Sequence, residues 1–139
     1  MAARELFLDA AYLIALAVPA DALHLKALQF MHETESSARL FVTTQAVLFE
    51  VGDALSKPKH RSAAFTLLSA LEADDKVLIV PTDAGTYTRA LELFHHRPDK
   101  EWSLTDCISF VVMGDNHLTE ALTTDEHFEQ AGFVALMRH

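Results

Sequence analysis

An α/β fold with a mainly parallel sheet of about five strands, flanked by helices, is predicted by three observations. Five short apolar runs, Leu6–Leu8, Leu40–Val42, Val77–Val80, Ala121–Leu122 and Phe133–Leu136, alternate with segments of helical periodicity. The clearest of these runs are apolar throughout, the pattern of strands covered on both faces. The chain has 139 residues, half of them apolar, which is enough for one core, so a single domain over 1–139 is expected.

Each element has its own signal. Leu6–Leu8 runs into Asp9 and then into AAYLIAL, an apolar stretch that reads as a helix. Pro19 separates that helix from a second one marked by Leu23, Ala27 and Phe30. Leu40–Val42 leads into a helix over Thr44–Leu55, and the polar SKPKHR stretch, Ser56–Arg61, reads as a loop. Phe65, Leu68 and Leu71 mark the helix before Val77–Val80. Tyr87, Ala90, Leu91 and Phe94 fall at i, i+3, i+4 and i+7, the spacing of one helix face. Leu104–Met113 supplies the last long helix before the two closing strands. No repeat, low-complexity segment or linker interrupts the series.

Composition narrows the function classes. Four Gly and four Pro in a half-apolar chain describe a packed globule rather than a disordered segment. Every apolar run is shorter than the roughly 18 residues of a membrane span, so no membrane role is expected. The opening MAARELFLD carries an acid by residue 5 and no secretory h-region; with a lone Cys107, a reducing, cytoplasmic setting is expected. The net charge of −9 argues against broad, non-specific nucleic-acid binding. It leaves room for an enzyme that gathers carboxylates around a cation.

Four acids invite that reading. Asp9 follows the first strand directly, at the carboxyl edge where α/β sites form. Glu50 has Ala46, Val47 and Ala54 as its helical neighbours, which places it on or beside an inward face; Asp53, one turn on, is a candidate for the same patch. Asp106 lies in WSLTDCISFVVM and Asp125 in EALTTDEHFEQAGF, each at a helix start. Taken singly, each of the three aspartates also reads as a helix cap: Ser103 with Asp106 and Thr123 with Glu126 both fit a capping box. Taken together, three acids fall on one side of one sheet, and Glu50 projects from the helix after the second strand. In water-poor surroundings such groups repel, and a divalent cation removes the penalty. Oxygen ligands without a Cys/His set at metal spacing favour Mg²⁺ or Mn²⁺ over Zn²⁺. None of the eight histidines sits in H-E-x-x-H or a finger pattern.

With these residues in view, the chain resembles the PIN-domain nucleases, and within them the toxin ribonucleases of bacterial VapBC toxin–antitoxin pairs. The carriers are FLDAAYLIAL, TTQAVLFEVGDAL, EWSLTDCISFVVM and EALTTDEHFEQAGF, and the likeness covers essentially the whole chain. Carried over residue by residue, the family's acidic quartet falls on Asp9, Glu50, Asp106 and Asp125. The resemblance implies a PIN-like three-layer fold, Mg²⁺ or Mn²⁺ at the quartet, hydrolysis of RNA phosphodiesters, a homodimer, and inhibition by a small antitoxin protein. One departure stands out. Many relatives carry a hydroxyl or amide side chain just after the first acid, whereas this chain has Ala10 and Ala11. Thr105 and Thr124, each preceding an acid, are candidates to supply the hydroxyl instead.

The expected chemistry is in-line attack by water on a phosphodiester. Asp9, Asp106 and Asp125 are the first candidates for metal ligands, and Glu50 ligates through water or accepts a proton. Cys107 is turned about 100° from Asp106 on the helix, toward the core. Lys57, Lys59 and Arg61, with His60, form the main basic cluster and are candidates for RNA contact; Arg97 and Lys100 form a smaller one. Tyr12 and Trp102 are candidates for stacking on bases. Other α/β functions lack their residues. A haloacid-dehalogenase-type phosphatase needs an acid at position 11, which is Ala; the third strand run is followed by Pro81 rather than a receiver aspartate; no Walker or G-x-G-x-x-G loop exists. The alternative from another class is a catalytically weak or inactive PIN-like module that binds RNA or protein, a reading prompted by Ala10.

Overall fold

Five parallel strands form one sheet in the order β3-β2-β1-β4-β5. The computed structural model describes residues 5–139; residues 1–4, where the expected domain and the stretch read as lacking an export signal begin, lie outside the described residues. In chain order the elements are β1 (Leu6–Leu8), α1 (Ala10–Ala17), α2 (His24–Glu35), β2 (Phe41–Thr44), α3 (Gln45–Ala54), α4 (Pro58–Ala73), β3 (Val77–Val80), α5 (Ala84–His96), α6 (Leu104–Asp115), β4 (Glu120–Leu122), α7 (Glu126–Gln130) and β5 (Val134–Ala135).

The central strand explains the layers. Leu6, Phe7 and Leu8 are all buried, and side chains alternate between faces, so helices must cover both sides of the sheet. Helix α1 packs on α2, α3 and α4, while α5 packs on α6. Phe7, Leu13, Met113, Leu122 and Phe128 are among the fully buried side chains of one apolar cluster. Phe110 anchors it with edge-on contacts to Phe128 at 5.0 Å and Trp102 at 5.1 Å between ring centroids. Burying each such ring contributes roughly 1.5–3 kcal/mol.

Strand order sets the position of the site. The chain steps outward from β1 to β2 to β3, then returns to pair β4 on the opposite side of β1. The direction of winding therefore reverses between β1 and β4, and a crevice opens at their carboxyl ends. The register places Phe7 opposite Ala121 and Leu8 opposite Leu122, so Asp9 and Thr123 leave the sheet side by side.

Two expectations need correction. The stretch Ser56–Arg61 is not a loop throughout, because α4 begins at Pro58 with Lys57 as its N-cap. Proline lacks an amide hydrogen, and the first turn of a helix has no use for one there. Strand β3 is not covered on both faces: it is the edge strand, and Leu78 is 53% exposed. Helix α5 forms where the stripe predicts it, with only Ala90 of the stripe buried and Tyr87, Leu91 and Phe94 each more than two-fifths exposed. Strand ends also shift slightly, with β2 running on to Thr44 and β5 reduced to Val134–Ala135.

Candidate active site

Asp9 occupies the N-cap position of α1 but makes no side-chain cap hydrogen bond. Its carboxylate instead accepts a 2.6 Å hydrogen bond at Oδ2 from the hydroxyl of Thr123, across the β1–β4 seam. Asp9 is only 8% exposed. Burial pushes its carboxyl up to about 7 from the ordinary 3.8. The Thr123 bond and the Ala10 amide oppose that rise, and the charges of Glu50 and Asp106 add to it.

The other three acids come to the same edge by different routes. Glu50 stands on the exposed side of α3, whose N-terminus is capped by the Thr44 hydroxyl accepting from the Val47 amide at 3.0 Å. Its carboxyl is raised, first by the protein packed around it and then by the charges of Asp106 and Asp125. Asp106 sits in the first turn of α6 in a complete capping box: the Asp106 amide donates to Ser103 Oγ and the Ser103 amide to Asp106 Oδ2, both at 3.0 Å. Asp125 is the N-cap of α7 and accepts at Oδ1 from the His127 amide at 2.9 Å. Its own amide donates to Thr123 Oγ1 at 3.0 Å. The cap reading of Asp106 and the site reading thus describe the same side chain, because α6 begins at the carboxyl edge of the sheet.

Two participants escape sequence reasoning. Thr123 was read as half of a capping box with Glu126; Asp125 caps α7 instead, and the Thr123 hydroxyl bridges Asp9 to the Asp125 amide. Among the described residues the hydroxyl that reaches Asp9 is that of Thr123, just after β4, and neither Thr105 nor Thr124 bonds to an acid. His127 is the second. Its Nδ1 lies 3.0 Å from Asp106 Oδ2 and 3.3 Å from Asp125 Oδ1. Its only signal in the sequence is an imidazole two residues after an acid, a spacing that the metal motifs considered do not contain.

Other candidates fall away. Tyr12 and Trp102 are 4% and 5% exposed, so neither offers a face to a base. The Trp102 indole donates to Gln130 Oε1 at 3.0 Å and lies under the Arg97 guanidinium. Burial raises the Tyr12 hydroxyl to about 12. Asp53 is exposed and outside the acid group. Cys107 is buried as expected, and burial followed by the Asp106 charge pushes its thiol up to about 11. Lys57, Lys59 and Arg61 are exposed around the start of α4, and Arg61 donates to the Ser56 carbonyl at 3.0 Å. Among the described residues none of the three pairs with an acid of the quartet.

The donor set fits a divalent cation. One ligand atom each from Asp106, Asp125 and His127 lie within 4.8 Å of one another. Among the described residues no Lys or Arg forms an ion pair with any of the four acids. The carboxylate oxygens gathered there are the natural ligands of hard dications.

A parallel 3-2-1-4-5 sheet with acids gathered at the β1–β4 switch point defines a class. The chain matches the PIN domain family over residues 6–134 and belongs to it. Within the family its structure is similar to that of VapC20 of Mycobacterium tuberculosis, a sarcin–ricin-loop-cleaving toxin: TM-score 0.82, 26% identity, covering 93% of this chain and 96% of that one. It also shares the fold of a chain in the VapBC2 complex of Rickettsia felis bound to promoter DNA, at TM-score 0.65 and 13% identity, over 94% of this chain and 96% of that one. No curated protein sequence matches the chain. No helix among the described residues is long and apolar enough to cross a membrane.

Proposed function

We propose that the chain is a divalent-metal-dependent ribonuclease that hydrolyses RNA phosphodiester bonds and serves as the toxin of a toxin–antitoxin pair. The observation that carries this reading is Asp9, a buried carboxyl in the field of further acids, with no Lys or Arg ion-paired to it or to the other three among the described residues. Burying an unpaired carboxylate is expensive, and a dication bound beside it offsets that cost.

Asp9, Asp106 and Asp125 would hold Mg²⁺ or Mn²⁺. When bound, the ion supplies Lewis acidity, making water a stronger nucleophile and offsetting charge on the phosphate. Glu50, exposed and with a raised carboxyl, would accept the proton of the attacking water. Thr123 orients Asp9 through its hydroxyl, as outer partners of metal ligands do. Lys57, Lys59 and Arg61 would meet the RNA backbone. The alternative of a weak or inactive binding module was prompted by the missing hydroxyl after Asp9; the Thr123 hydroxyl bonded to Asp9 supports the enzyme.

The likeness to VapC20 makes a sarcin–ricin-loop hairpin the first RNA to assay. The VapBC2 relative makes a small antitoxin, encoded beside this chain, the partner to look for. A cytoplasmic homodimer is part of the proposal and is read by light scattering on the purified protein. The decisive experiment incubates RNA with wild type and Asp9→Asn in Mg²⁺, Mn²⁺ or EDTA. Cutting that needs metal and disappears in Asp9→Asn is the expected result. Equal cutting by both proteins overturns the proposal.

A further inference from the structure

We propose that His127 is a nitrogen ligand of the site, and that its imidazole makes the site select a transition-metal dication such as Mn²⁺ over Mg²⁺. This deepens the metal-dependent reading above and rests on it.

The placement of the ring is specific. His127 lies in the first turn of α7, next to the fully buried Phe128, which fixes that turn against the core. Its backbone amide donates to Asp125 Oδ1, so one carboxylate oxygen meets both the amide and the ring of the same residue. Nδ1 points between two carboxylates that belong to different helices, 3.0 Å from one and 3.3 Å from the other. Ligands held at about 2.1 Å around one ion lie at most about 4.2 Å apart, and the three donor atoms here fall within 4.8 Å of one another. Small side-chain rotations therefore suffice to close them on a single cation. Ligation requires the ring proton on Nε2, leaving the Nδ1 lone pair free.

Ligand chemistry then sets the preference. Mg²⁺ takes oxygen ligands and keeps much of its water, so an imidazole adds little to its binding. First-row transition dications gain from nitrogen donors. The competing role for His127 is purely positional: Nδ1–H donating to Asp106 and steadying it for any metal. Asparagine separates the two roles, because its amide can donate a hydrogen bond from about the same place but offers no imidazole lone pair.

The experiment titrates Mn²⁺ and Mg²⁺ into wild type and His127→Asn by calorimetry, and records pulsed electron paramagnetic resonance of one equivalent of Mn²⁺ on each. The expected result is coordinated-imidazole nitrogen coupling in wild type that His127→Asn lacks. Mn²⁺ affinity should fall at least about 10-fold in the variant, no less than the loss of an outer partner costs, with Mg²⁺ affinity nearly unchanged. Parallel loss of both affinities, or a wild-type spectrum without nitrogen coupling, overturns the ligand role while leaving the metal site standing. Wild type that binds neither ion overturns the metal-dependent function as well. If His127→Asn does not fold, the wild-type spectrum with ¹⁵N-histidine decides alone.

Discussion

The hydroxyl of Thr123 donates to Asp9 Oδ2 at 2.6 Å, joining the carboxyl ends of two neighbouring parallel strands. The Thr123 hydroxyl oxygen in turn accepts from the Asp125 amide, so one threonine sets the relative position of two acids. Thr123→Val keeps the shape and removes both bonds. We expect a loss of about 1 kcal/mol or more in stability, since one buried bond goes and one amide is left unsatisfied. RNA cleavage should fall about 10–100-fold, the usual cost of removing an outer partner of a ligand. The acid limb of the pH–rate profile should also move to higher pH, because the bond that favours ionised Asp9 is gone. Thr123→Ser should restore the profile; a profile unmoved by Thr123→Val would show that the hydroxyl does not orient Asp9.

Asp9 also makes stability depend on pH in an unusual direction. Its carboxyl titrates at about 7 when folded and near its ordinary 3.8 when unfolded. Between those values the folded chain holds a proton that the unfolded chain has released. Metal-free stability therefore falls as pH rises through that window, by up to about 4 kcal/mol at 1.36 kcal/mol per unit. Glu50, also raised, acts in the same sense. In EDTA, Asp9→Asn should melt higher than wild type at pH 8, and the gap should close toward pH 4. A variant that melts lower than wild type at pH 8 contradicts the buried charge.

How much of this was legible in the sequence depended on whether the governing contacts are local. Strands β1 and β3 are short apolar runs ended by Asp9 and Pro81, and their limits could be read directly. The start of α4 could not, because the polar SKPKHR stretch reads as a loop while Pro58 works as a first-turn residue. The α5 stripe has helical spacing, but spacing does not say that its helix lies with Tyr87, Leu91 and Phe94 toward solvent. The four acids were legible: the three aspartates stand at element boundaries that the apolar pattern marks, whereas Glu50, in the middle of α3, stands out by its small and apolar helical neighbours Ala46, Val47 and Ala54. Thr123 and His127 were not, because their roles depend on partners 114 and 21 residues away. Pairing across the sheet order 3-2-1-4-5 brings those partners together, and no local spacing encodes it.

Metal should stabilise the folded chain by linkage. An ion present at a hundred times its dissociation constant adds about 2.7 kcal/mol, visible as a rise in Tm over EDTA. Asp106→Asn should lose most of that rise. Because Asp106 also closes the capping box of α6, a control is needed. Ser103→Ala breaks the same box and should cost about 1 kcal/mol of stability, lowering Tm without touching the metal-dependent rise. If both variants lose the rise equally, Asp106 acts through the helix cap and not as a ligand.

RNA must approach a chain of net charge −9, so local basic groups carry the electrostatic attraction. Lys57 and Lys59 are exposed at the start of α4, a sixteen-residue helix whose N-terminus adds partial positive charge. Arg61 is held to the Ser56 carbonyl, which leaves the two lysines the freer pair to reach phosphate. Each phosphate contact on single-stranded RNA contributes about 0.7 to the slope of log affinity against log salt. The double variant Lys57→Ala, Lys59→Ala should therefore flatten that slope by about 1.4 and weaken binding most at low salt. An unchanged slope would place the RNA path away from α4. The neighbouring pair Arg97 and Lys100 would not inherit the role, since both are already engaged with Asp99.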